Sequence, residues 1–264
     1  MLVTKVTYDD VQAWVDRELA KVMAPATANA VLAALGAIMM RAERDKLIPS
    51  SPCRGVKRLR VEHHVVEVSS LADYQTVLRG LPIPYQLPAF LGLALGARAC
   101  EVLGLTVDRV DYDARTITID RQLEEGGFYV PPTWSATKGS DTRVVPVSEL
   151  VLEAVRRSAP ASGLLCVDED GWPLGYDRFN YHWRTTCIEC GVATMRRFHD
   201  TRHLAAELAK AGGADITEIQ HRLGHKQLST TTRFYANALT PQVASVQAMD
   251  VALACVEPRG RSDH

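Results

Sequence analysis

Apolar residues recur at three- and four-residue intervals through most of the first 103 positions, alternate between 107 and 147, and then return to helical spacing. The first helical pattern covers 7–21. Val11, Trp14, Val15 and Leu19 share one face, and Thr7 followed by Asp10 is a start signal. The second covers 25–48. Pro25 suits a first helical position, Val31, Leu32, Leu35, Ile38, Met39 and Ala42 form the stripe, and Pro49, Ser50, Ser51 and Pro52 stop it. These two helices make most of a small helical domain, extended by something near 53–60.

The segment from 61 to 70 reads as a linker, narrowed to 63–68 when domains are drawn at 1–62 and 69–264. A helix then starts at Ser69 or Ser70 and ends near Gly80. Another runs from about Tyr85 to Leu95, breaks at Gly96 and restarts through Arg98–Leu103. RTITIDRQL, GGFYVP and TRVVPVS are strand candidates separated by Asp, Gly and Pro signals. YHWRTTCIECGV returns to helix, and Gly191 can end it. The expected fold is mainly α with a small antiparallel β-sheet: a helical domain followed by a larger one that carries the sheet.

Composition narrows the class. At 264 residues the chain has room for one or two domains with a real core. With 47% hydrophobic and 23% charged residues it reads as globular and soluble. No apolar run reaches about 18 residues, and MLVTKVTYDD lacks a signal-peptide layout. The expectation is a cytoplasmic protein with no membrane partner. Cys187 and Cys190 form a C-x-x-C without the second pair that a structural zinc site needs, so packed, reduced thiols and no metal are expected. Asp168, Glu169 and Asp170 precede Gly171, Trp172 and Pro173 and read as a solvated turn rather than a metal cluster. The net charge of −1 does not advertise a nucleic-acid binder, yet CRGVKRLRVEHH gathers Arg54, Lys57, Arg58 and Arg60 against Glu62. Alone, such a run is more often a solvated linker.

The chemistry concentrates in RFHDTRHLAAELAKAGGADITEIQHRLGHKQLSTTTRFYANAL. His199 and Arg202 are three apart, which a helix would bring to one face, and a helix start favours an anion. Gly224 can end the ITEIQHRL helix just before His225, and Tyr235 follows in a stretch that reads as a further helix. Taken singly, each residue has a bland explanation as a cap, a core histidine or packing.

Taken together with GARACEVLGL and TKGSDTRVVPV, the HDTRH, LGH and late-Tyr motifs make the chain resemble the tyrosine recombinases of the phage-integrase family. The resemblance covers nearly the whole chain, since PATANAVLAALGAIMMRAERDKLIPSSPC is similar to that family's helical core-binding domain. It implies a SAM-like core-binding domain over 1–62 and a catalytic domain over 69–264 with a tail at 240–264. Residue by residue, it assigns Arg98 and Arg202 as catalytic arginines, Lys138 as the hairpin lysine, His199 and His225 as the histidines, and Tyr235 as the nucleophile. Glu101 and His203 are expected to support them, and Arg54, Lys57, Arg58 and Arg60 to contact DNA.

Each role has a chemical reason. A phosphodiester under attack gathers negative charge that permanently ionised guanidinium forks can hold. The leaving 5′-oxygen needs a proton, which Lys138 could give, and the phenol needs a base and nearby positive charge. The implied activity is site-specific recombination through a 3′-phosphotyrosine, by a phage or mobile-element integrase, with no cofactor, metal or ATP. A chromosome-dimer or transposon recombinase is the alternative within the same chemistry. A catalytically silent DNA-binding regulator and a metal-dependent nuclease are the alternatives outside it. The implied partners are double-stranded DNA core or attachment sites and, on them, three further copies of a chain that is monomeric when free; an accessory directionality factor is left open. The resemblance departs at the start of the chain, which begins almost directly at the core-binding helices without the arm-site domain of many phage integrases. At Asn237, relatives often have His.

Overall fold

Thr7 opens the first helix because its hydroxyl accepts from the Asp10 amide at 3.2 Å while the Asp10 carboxylate accepts from the Thr7 amide at 2.9 Å. The computed structural model describes residues 3–61, 70–127, 130–136 and 142–224. Lys138, His225, Tyr235, the linker 63–68 and the tail 240–264 lie outside the described residues. The chain divides into two compact units, Met1–Val66 and Glu67–His264.

In the first unit, α1 (Tyr8–Trp14) passes through a π-helical turn (Val15–Leu19) into α2 (Ala20–Val22), and α3 spans Pro25–Arg44. The core joins Val11, Val15 and Leu19 to Ala28 and Leu32. The spacing misjudges two features. Ile38, placed on the apolar stripe, is exposed. The second helix stops at Arg44, four residues short of the expected 48, and Lys46 takes a left-handed φ of 58°. The stretch 53–60, expected to extend the domain, is a turn followed by irregular chain. Side chains hold it: Asn29 donates to the Leu59 carbonyl and accepts from its amide, both at 2.9 Å, and Gln12 accepts from the Lys57 amide at 2.9 Å. Although no long apolar run is evident in the sequence, α3 is, by length and composition alone, long and apolar enough to cross a membrane. It buries Ala28, Leu32, Met39 and Ala42 in its own unit.

In the second unit a Ser70–Asp73 capping box starts α4 (Leu71–Gly80), and α5 (Ile83–Leu95) follows, every residue from Tyr85 onward buried. α5 ends at Gly96 in the left-handed conformation, φ 59°, and α6 (Ala99–Leu103) restarts with Arg98 as its cap. The alternating region forms β1 (Val110–Asp111), β2 (Thr116–Ile119), β3 (Arg121–Gly127), β4 (Val130–Ala136) and β5 (Arg143–Pro146). These make two antiparallel sheets rather than one, β1-β2-β5 and β3-β4. In the first, Ile117 opposes Val145 and Ile119 opposes Arg143. The β3-β4 ribbon is irregular in register beyond Leu123. It sits close on the end of α6, where a Cβ on Gly104 would come within 2.6 Å of the Leu123 amide, and Trp134 Nε1 donates to the Gly104 carbonyl at 3.1 Å.

Helices α7 (Glu149–Ser158), α8 (Tyr176–Glu189), α9 (Asp200–Ala211) and α10 (Ile216–Leu223) complete the described chain. Tyr74, Phe90, Phe179 and Trp183 are among the largest buried side chains. The polar tips of two find carbonyls, Tyr74 at Ala89 (3.0 Å) and Trp183 at Met195 (2.9 Å). Cys187 and Cys190 are free thiols, Cys187 buried within α8 and Cys190 at its end. Asp168 builds the turn, accepting from the amides of Asp170 and Trp172; Asp168 itself is buried, while Glu169, Asp170 and Gly171 are exposed.

Candidate active site

The last carbonyls of a helix have no partner within it and carry partial negative charge. In the second unit two helix ends of this kind, those of α5 and α10, are satisfied by buried arginines. Arg202, on the first turn of α9, donates from Nη1 to the Gly96 carbonyl at the end of α5 and from Nη2 to the Leu223 carbonyl at the end of α10, the latter at 2.6 Å. Arg222 donates to the Ala94 carbonyl at 2.7 Å and to Pro146 at 3.3 Å. Both arginines are buried, and helix-end and strand carbonyls accept from their guanidinium groups. Gly96, which anchors Arg202, stands just before Arg98 in the chain, so the two arginines are tied to the same turn.

Arg98 is held differently. The Glu101 carboxylate accepts from the Arg98 backbone amide at 2.9 Å and from its Nη1 at 2.7 Å. The Glu101 side chain is fully buried, whereas 32% of the Arg98 side chain is exposed, enough to meet a ligand. The other oxygen of Glu101 accepts from Nη2 of Arg143 at 2.6 Å. Burial opposes ionisation of Glu101, but the hydrogen bonds and charges of Arg143 and Arg98 outweigh it and lower its pKa to about 2. Two cations thus share one anion.

His199 directly precedes α9, as the three-residue spacing to Arg202 requires, and its ring meets that of His203 edge-on at 5.7 Å between centroids. Burial, then the charges of Arg202, His203 and Arg98, push the His199 pKa down to about 4. At neutral pH it is an unprotonated imidazole in a positive field, able to accept a proton. His203 is pushed down too, chiefly by burial.

Among the described candidates, Arg98, Glu101, His199, Arg202 and His203 come together in the second unit. Lys138 belongs to the segment between β4 and β5, and His225 follows the Gly224 that ends α10 with φ 64°. Arg54, Lys57, Arg58 and Arg60 are in the first unit, outside its core. Arg54 is paired there with Glu43 at 2.9 Å, an acid the local sequence run does not reveal.

Sequence reasoning missed Arg143 and Arg222. Arg143 had one available signal: it shares a strand face with Val145, so the alternation turns a cation inward. Arg222 had none, because helical spacing cannot tell a buried guanidinium from a basic residue in a last turn. Among the described residues, no group of three or more His, Cys, Asp or Glu could hold a metal ion.

The Phage integrase family matches residues 66–240. Tyrosine recombinase XerC of Myxococcus xanthus is 27% identical over 233 residues, covering 80% of this chain and 71% of that protein. The putative prophage phiRv2 integrase of Mycobacterium tuberculosis is 25% identical over 209 residues, 76% of this chain and 55% of the integrase. Among solved structures, the Tn1549 transposon integrase bound to transposon right-end DNA superposes with a TM-score of 0.74 at 19% identity, over 96% of this chain and 87% of the other. The lambda integrase tetramer bound to a Holliday junction gives 0.68 at 14% identity, over 85% and 65%. At these identities the structural likeness speaks for the fold.

Proposed function

Because the chain belongs to the phage integrase family, the tyrosine recombinases that cleave and rejoin DNA, we propose that it is a site-specific recombinase of a phage or mobile element whose nucleophile is Tyr235. The observation that carries the reading is the joint placement of Arg98, Arg202 and an unprotonated His199 around the end of α5. Arg98 and Arg202 hold the nonbridging oxygens of the scissile phosphate, and His199 takes the proton of the phenol. Tyr235 attacks phosphorus, the bond to the 5′-oxygen breaks, and Lys138 gives that oxygen a proton. His225 hydrogen-bonds the phosphate. The product is a 3′-phosphotyrosine and a free 5′-hydroxyl. A 5′-hydroxyl attacking the phosphotyrosine reverses the step and restores a phosphodiester, so the energy of the bond is conserved without ATP.

The same reading gives the first unit the role of a core-binding domain on double-stranded DNA and joins four protomers on paired sites. Residues 240–264 then link neighbours, and the site of action is the cytoplasm or nucleoid. The Tn1549 integrase held on transposon-end DNA and the lambda integrase tetramer held on a Holliday junction support it.

The test is covalent capture. Wild-type protein and Tyr235→Phe are incubated with a random-sequence pool of nicked duplexes and resolved on denaturing gels. Wild type is expected to retain DNA covalently at the 3′ side of the nick-proximal cut, and Tyr235→Phe to bind DNA without becoming attached. An adduct surviving in Tyr235→Phe would refute the assignment.

A further inference from the structure

Arg143 is the first residue of β5, and its side chain is 4% exposed. Its hydrogen-bond partners lie within the protein, and they belong to different parts of the proposed site. Nη2 bonds Glu101 at 2.6 Å, and Glu101 in turn holds both the amide and the guanidinium of Arg98. Nε donates to the Arg222 carbonyl at 3.0 Å, in the last turn of α10. The guanidinium also lies against Gly224, where an added Cβ would stand 2.9 Å from Nη1. Gly224 is the turn that delivers the chain to His225, and its positive φ and this close approach both call for glycine.

We infer that Arg143 is a positioning residue, whose guanidinium sets the Glu101–Arg98 pair and the Gly224 turn in one register. A planar fork suits this task, because Nε and Nη2 reach two acceptors in fixed directions, which an ammonium cannot do. The inference rests on the recombinase reading, and it concerns a residue outside the expected catalytic set. A purely structural Arg143 would neutralise Glu101 and affect stability, and its removal would reduce binding and cleavage together. A positioning Arg143 affects the rate of the bound complex.

The experiment uses the full chain and a nicked duplex recovered by covalent capture with wild type. Arg143→Met and Arg143→Lys are compared with wild type for duplex affinity and for the single-turnover rate of adduct formation, in the native and the Glu101→Gln backgrounds. Arg143→Met is expected to bind within about threefold of wild type and form adduct about 10²-fold more slowly, the scale of an ångström-sized misplacement. Arg143→Lys should recover about tenfold of that loss. In the Glu101→Gln background, Arg143→Met should cost at least about tenfold less than in the native background, because the two residues act in series. Wild-type rates in both variants, equal losses in the two backgrounds, or affinity falling in step with rate would each overturn the inference. If Arg143→Met does not fold, Arg143→Lys decides: a slower rate at retained affinity supports positioning, and an unchanged rate or a joint loss refutes it. A wild-type protein that forms no adduct on any duplex would instead bring down the recombinase reading itself.

Discussion

Arg54, Lys57, Arg58 and Arg60 lie in one irregular segment of the first unit, outside its core. Arg98, Arg143, Arg202 and Arg222 come from four elements of the second unit, and three of them are buried. Both groups are cationic, yet they are built on opposite terms. A surface cation keeps its hydration, costs little, and offers attraction that salt screens. A buried guanidinium loses its hydration and persists only where fixed acceptors replace the water. The second group is therefore held rigid before any ligand arrives. Rigid charge discriminates a transition state from a ground state; mobile charge supplies affinity.

The sharpest way to break the comparison is to remove one cation of the second group. Arg98→Ala and Arg202→Ala should each slow adduct formation by about 10²–10³-fold or more, with most DNA affinity retained. The two should differ in stability. Arg202→Ala strands the carbonyls of Gly96 and Leu223 in the interior, so its melting temperature should fall by roughly 5–10 °C. Arg98→Ala leaves Glu101 paired with Arg143 and should fall less. Near-normal cleavage by either variant, measured in single turnover, would contradict its role. Equal melting temperatures would contradict the anchoring of helix ends by Arg202.

Acid probes the buried site by a second route. His199 titrates near 6.5 in the unfolded chain and about 4 in the folded one. Its folded pKa is depressed, so the unfolded state binds the proton first. Stability is full above about 6.5 and is lost as pH falls toward 4. Glu101 is also depressed, from 4.5 to about 2, and its contribution disappears over that lower window. In denaturant titrations between pH 7 and 4, His199→Gln should flatten the decline in stability, with His203 keeping part of it through its own lowered pKa. A slope identical to wild type would show that His199 is not held unprotonated by the site.

The two groups were also unequally legible. Arg54, Lys57, Arg58 and Arg60 stand close together in sequence, so the eye finds them, but the pairing of Arg54 with Glu43 depends on α3 folding back and is invisible in the run itself. Helix starts were legible where a hydroxyl and a carboxylate stand three apart, as at Thr7 and Ser70, because that chemistry is local. The end of α3 was not, because the chain leaves the helix at Lys46, with no Gly or Pro to mark the turn. His199, Arg202, Arg98 and Glu101 were singled out because short spacings and a family resemblance point to them. Arg143 and Arg222 were not, because their partners lie 42 and 128 residues away. Pairings of that kind are made by tertiary structure and leave no local pattern.

The smallest expected effect falls on the surface group. If its members meet phosphates in the proposed complex, removing each such cation should flatten the log K against log salt slope by about 0.9. Arg54 should not count fully, since it is bound to Glu43 through two hydrogen bonds of 2.9 and 3.1 Å and must break them to reach DNA. Replacing Arg54, Lys57, Arg58 and Arg60 together by alanine should then reduce the slope by about 2.7, the value for three neutralised phosphates, rather than about 3.6. Glu43→Gln alone should release Arg54 and steepen the parental slope by up to about 0.9. Through all of this the adduct-forming rate at saturating DNA should hold, because none of these side chains is part of the buried site. Fluorescence anisotropy on one duplex across a salt series supplies the slopes, and single-turnover adduct formation supplies the rate. An unchanged slope in the quadruple variant would make the stretch a solvated surface segment. A saturated rate that fell with the slope would mean that surface cations also set the chemistry, and the division of labour between the two groups would fail.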